Sequence, residues 1–146
     1  MNPNHRRNAR EYALQAMYQW QITQTPLSEL EYQFLTREIR KKTDLDYFKE
    51  LMHTIPTQTD ELDELMKPFL SRSLSEIDPI ELAILRIAIY ELEKRLDIPY
   101  RVAINEALEL TKRFGSVEGF KFVNGVLDNV AKKSRLHEVN ADKKSK

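Results

Sequence analysis

Residues 78–94 read DPIELAILRIAIYELEK, and this stretch decides the fold. Its first residues mark a helix start. Asp78 stands where a carboxylate accepts from first-turn N–H groups, Pro79 sits at the first helical position and has no N–H to lose, and Glu81 follows two residues later in a capping-box arrangement. Beyond that start the segment is apolar almost all round rather than along one stripe. A helix of this kind has no face to leave in water and must be enclosed by other helices. It is therefore expected to be the central element of an all-α protein.

Outward from that helix, Pro99 marks the entry to a following helix carrying Val102, Ala103, Ala107, Leu108 and Leu110, closed by Gly115 as a C-terminal cap. Ser116 is a suitable N-cap for the next, with Phe120, Val123, Leu127 and Val130 inward. Toward the N-terminus, residues 5–23 repeat Ala9, Ala13, Ala16, Met17 and Trp20 at helical spacing, and Thr25-Pro26 breaks that helix. A second stripe on it runs through Arg7, Leu14 and Tyr18. Leu27, Leu30, Tyr32, Phe34 and Leu35 give a short helix running into the charged stretch Arg37–Lys42. Asp44 or Asp46 caps a third, with Phe48, Leu51, Met52 and Ile55 inward. Thr57 or Thr59 starts a fourth, with Leu62, Leu65, Met66 and Phe69 inward. The expectation is about seven helices in two packed bundles, residues 1 to about 70 and about 77 to 131, within one domain. Residues 132–146 are expected to form a basic, disordered tail.

The 146 residues are enough for one domain with its own core, and the absence of cysteine excludes a disulfide framework, a thiolate zinc site and a thiol nucleophile. The composition is at home in a reducing cytoplasm. No apolar run approaches the roughly 20 residues of a membrane span. Phosphate-cradling and dinucleotide glycine motifs are absent, and His5, His53 and His137 are scattered without an HExxH pattern. The acidic pairs in TDELDEL (59–65) have the spacing of a solvated helix face. Neither catalysis nor a cofactor or metal is expected.

The formal net charge is zero, but it is unevenly spread. Residues 1–10 hold Arg6, Arg7 and Arg10 and no acid, while residues 132–146 hold six Lys/Arg against Glu138 and Asp142, leaving 14 bases and 21 acids between them. Cations at a helix start oppose the macrodipole, so helix stability does not explain the three arginines; a phosphate partner would. Lys112, Arg113 and Phe114 end one helix, and Lys121 and Phe122 begin the next. Rings that stack on bases beside cations that neutralise phosphates are what single-stranded RNA requires. Phe122 is open to a second reading, as packing on another core face.

RRNAREYALQAMYQWQ (6–21), DELMKPFLSRSL (63–74), LRIAIYELEKRLDIPYRVAINEALELTKRFG (85–115) and KFVNGVLD (121–128) together resemble the bacterial NusB family of transcription antitermination factors, in order and to about residue 131. The resemblance implies two helical bundles and no catalysed reaction. It implies a heterodimer with the small-subunit ribosomal protein NusE, binding single-stranded boxA RNA in nascent transcripts, notably ribosomal RNA leaders, and joining NusA, NusG and RNA polymerase. On this sequence it assigns Arg6, Arg7, Arg10, Lys112, Phe114, Glu118, Lys121 and Phe122 to the RNA surface, with Glu118 weakening binding by like-charge repulsion. It assigns Tyr18 and Glu81 to the NusE contact, so that Glu81 has two candidate roles. Asn8 interrupts the arginine run, and the tail has no family motif. The alternative is a helical protein-protein adaptor whose arginines meet acidic surfaces.

Overall fold

A computed structural model describes residues 3–144, in which all regular structure is helical. Eight α-helices occur among the described residues: α1 Pro3–Thr23, α2 Leu27–Gln33, α3 Leu45–Thr54, α4 Thr59–Met66, α5 Pro79–Lys94, α6 Tyr100–Phe114, α7 Val117–Ser134 and α8 Leu136–Lys144. They fall into two compact units that divide between Gln58 and Thr59.

In the first unit α1 packs chiefly on α3. The small residues Ala9, Ala13 and Ala16 are fully buried with Met17, and α3 answers with Phe48, Leu51 and Met52; Trp20 is only half-buried. Of the two candidate caps, Asp44 is the one used: its Oδ1 accepts from the Tyr47 N–H at 3.0 Å, and Asp46 lies in the first turn, where the dipole favours an acid. Gln24, in left-handed backbone at φ 56°, ends α1 just ahead of Pro26. The stretch after α2 winds wider than an α-helix, as a π-helical turn over Phe34–Glu38 that places Phe34 beside Phe48, ring centroids 6.2 Å apart.

The second unit is built round α5. Ala83, Ile84, Leu85, Ile87, Ala88, Ile89 and Leu92 are buried, and α4, α6 and α7 all pack on this helix. The expected boundary near residue 70 is thus displaced, because α4 belongs here. Arg86 of α5 holds Asp63 of α4 through two hydrogen bonds of 3.0 and 2.8 Å, and Lys94 pairs with Glu61 at 2.8 Å. Apolar spacing in α4 reveals a buried face but not which bundle buries it; Leu62 and Met66 are fully buried in this unit.

The reading of residues 132–146 as a disordered tail is corrected over the described part. Lys132–Ser134 complete α7, and Leu136–Lys144 form α8. The cause is Arg135, 5% exposed. Its guanidinium donates to the carbonyls of Leu92 (2.8 Å), Glu91 (3.2 Å), Arg95 (2.9 Å) and Ile98 (2.8 Å), and to Glu138 Oε1 (2.7 Å). A permanent cation thereby satisfies acceptors at the C-terminal, negative end of α5. The other oxygen of Glu138 accepts from the Tyr100 N–H at 2.8 Å. Helix α6, whose N-cap is Pro99 and has no side-chain oxygen to offer, is capped by a carboxylate from α8. Asp142 adds contacts to Tyr100 and Arg101.

This packing makes two stability predictions. Arg135→Ala strands several buried carbonyls and should cost on the order of 3 kcal/mol in denaturant unfolding, with loss of the helicity of residues 136–144. Gly125 lies exposed within α7, and a methyl group there would meet nothing within 4 Å. Gly125→Ala should therefore stabilise by about 0.5–1 kcal/mol by restricting the unfolded chain, visible as a raised Tm.

Candidate nucleic-acid interface

Arg6, Arg7 and Arg10 are separated by their helix. Arg7 is exposed, Arg6 is half-buried, and Arg10 is 3% exposed. The guanidinium carbons of Arg6 and Arg10 lie 4.9 and 5.6 Å from the ring centroid of the buried Tyr47. Two of the three cations are thus held by an aromatic ring of α3, where cation–π attraction offsets some of the cost of a cationic helix start. Arg7 is the member most open to an incoming anion. Tyr18, on the same helix, is 38% exposed and lines a hollow of about 350 Å³ with Gln15, Phe34 and Arg37.

On the second unit Lys112, Phe114, Glu118, Lys121 and Phe122 gather at the corner between α6 and α7. The corner is tight: Gly115 closes α6 in extended backbone at φ −108°, and Ser116 caps α7 by accepting from the Gly119 N–H at 2.9 Å. Gly115 therefore ends its helix without left-handed geometry. Its absent Cβ is what the corner uses, since one would sit 3.0 Å from both Thr111 Cγ2 and Thr111 O. Lys112, Glu118 and Lys121 are exposed; Phe114 and Phe122 are half-buried. Each ring carries a cation: Arg113 at 5.3 Å from Phe114, Arg72 at 4.3 Å from Phe122, and Lys112 at 5.6 Å from Phe120. Phe120, expected inward, is also half-buried.

Sequence reasoning missed Arg72. It lies in a loop between short turns, and only its stacking on Phe122 gives it a place at this corner. The one available signal was a lone arginine in the motif DELMKPFLSRSL.

Glu81 is 7% exposed. The cap it was expected to share is half made: Asp78 Oδ1 accepts from the N–H groups of Ile80 (2.8 Å) and Glu81 (3.3 Å), but the Glu81 carboxylate instead lies against Gly119. A Cβ on Gly119 would fall 2.5 Å from Glu81 Oε2, so the glycine leaves room for the carboxylate in its present position. Burial pushes the Glu81 carboxyl above its ordinary value, the nearby charge of Asp78 pushes it the same way, and Arg72 opposes both.

The second unit thus sets cations against half-buried rings at the corner between α6 and α7. The NusB family model matches residues 7–132, and the chain belongs to the NusB family. It is 55% identical over 131 residues to the transcription antitermination protein NusB of Escherichia coli O139:H28 and to that of Shigella boydii serotype 18, covering 90% of this chain and 94% of each relative. Among solved structures it is similar to T. maritima NusB, with a TM-score of 0.75 and 31% identity over 90% of this chain and 92% of the other. Helix α8 lies beyond the last residue that the family model matches.

The raised Glu81 carboxyl gives a signed pH dependence. Its contribution to stability is fully present below the ordinary value of 4.5 and is lost as pH rises through the higher folded-state value. Glu81→Gln should therefore gain on the unchanged protein as pH rises from about 4 to about 7, in Tm measured side by side. A Tm difference independent of pH would contradict the assignment.

Proposed function

We propose that this chain is a non-catalytic transcription antitermination factor, acting in the cytoplasm, that binds single-stranded boxA RNA together with ribosomal protein NusE. On this reading the pair joins NusA, NusG and RNA polymerase on nascent transcripts, notably ribosomal RNA leaders. Family membership supports the antitermination role. The observation that carries the RNA reading is the α6–α7 corner, where Arg113 and Arg72 hold the rings of Phe114 and Phe122 beside the exposed Lys112 and Lys121. A ring fixed by a neighbouring guanidinium gives up little freedom when a base stacks on it, and the lysines meet the flanking phosphates.

Arg7 and Arg6 take RNA phosphates, while the buried Arg10 acts through its field and by holding Tyr47. Glu118 opposes RNA by like-charge repulsion even as it suits the start of α7. Tyr18 and Glu81 serve the NusE contact. Glu81 is a small acidic target whose buried position favours a partner cation that can displace water from it.

Titration of a boxA-like RNA and a scrambled control, with and without NusE, tests this reading; equal affinity for both sequences defeats it. Arg6→Ala with Arg7→Ala should flatten the slope of log K against log salt by about 1.4, or about 0.7 for each phosphate no longer neutralised. Phe122→Ala should cost about 1–3 kcal/mol of RNA affinity. A protein-protein adaptor would show neither effect.

A further inference from the structure

The α6–α7 corner also holds a hollow of about 330 Å³, lined in part by residues to which no role has been given. Thr111, Gly115, Val117, Phe120, Lys112 and Lys121 are among the residues that line it. Val117 is 80% exposed, more than any other large apolar side chain among the described residues. It occupies the first position of α7, where valine has neither a capping role nor a good helix propensity. Phe120 lies one turn on, on the same side, only half-buried and with the Lys112 ammonium 5.6 Å from its ring centroid. A largely apolar hollow of ligand-pocket size lined by two exposed lysines matches an aromatic ring whose two neighbours are anionic. That is a nucleotide in a strand.

We propose that this hollow is a base-binding pocket, in which one unstacked nucleobase of the single strand lies on Val117 and Phe120 while Lys112 and Lys121 take the phosphates on either side of it. The proposal rests on the RNA-binding reading and adds to it a second base subsite, distinct from the ring of Phe122.

The test is an abasic scan. A boxA-like RNA is made with one abasic nucleotide at each position in turn and titrated against the full chain with NusE present, as wild type, Val117→Ser and Phe120→Leu. Val117 is too exposed for its replacement to disturb folding, and leucine preserves the buried volume at Phe120 without the ring; Val117→Ile is the control. The wild type should lose about 5- to 150-fold in affinity at one abasic position beyond the one that Phe122→Ala makes silent. Val117→Ser and Phe120→Leu should weaken intact RNA and abolish the penalty at that same position, and Val117→Ile should do neither. If both variants bind intact RNA like wild type, or keep every abasic penalty, the pocket assignment is overturned while RNA binding stands. If they lose affinity only for NusE, the hollow is a protein-docking site and the assignment is again overturned. A wild-type chain that does not distinguish boxA-like from scrambled RNA defeats the wider reading, and with it this one.

Discussion

Helix α5 cannot leave any side in water, and the second unit is the solution to that constraint. Its apolar residues point round the whole cylinder, so α4, α6 and α7 must each cover a sector. The ends of the helix still need polar partners, because its first N–H groups and its last carbonyls have none within the helix. Asp78 answers at one end, and Arg135 reaches back from beyond α7 to answer at the other. The same arginine and Glu138 draw α8 onto α6, so one side-chain pair finishes two helix ends. Surface propensities of α8 itself would not hold it; a nine-residue helix is marginal in water without such tethers.

Cations recur in this protein against aromatic rings, on the buried Tyr47 as on half-buried phenylalanines. Arg6 and Arg10 meet Tyr47, Arg72 meets Phe122, Arg113 meets Phe114, Lys112 meets Phe120 and Lys133 meets Phe69. Each contact is worth about 0.5–1 kcal/mol where exposed, too little to define a fold. Their effect is positional: the charge is held at a fixed place, and the ring keeps one rotamer. A surface prepared in this way suits recognition of stacked, charged polymers, because the ordering cost of binding has been met during folding.

Much of this was legible in the sequence. The Asp-Pro-Ile-Glu start, the two-residue corner at Gly115 and Ser116 and the alanine face of α1 are local signals, and local signals survive without a partner. What was not legible depends on long-range geometry. α4 meets the second unit through contacts such as Arg86 with Asp63, 23 residues away, and α8 is tethered by Arg135 reaching carbonyls 37 to 44 residues back. A polar, lysine-rich stretch with one decisive arginine has the composition of a tail. The candidate site divides in the same way. The exposed lysines and the rings at the corner stood out by their neighbours in sequence, whereas Arg72 gains meaning only from the ring it covers, and burial of Arg10 removes it from the set of open cations.

The approach of α7 to Glu81 ties the two proposed contacts of the second unit to each other. Gly119 sits against the Glu81 carboxylate, and the residues on either side of it in α7 are Glu118, Phe120, Lys121 and Phe122. Arg72 adds a second link, since its charge acts on Glu81 while its guanidinium lies on the Phe122 ring. The carboxylate that a protein partner would meet and the ring that a base would meet are thereby one arginine apart, close enough for each ligand to alter the field in which the other binds.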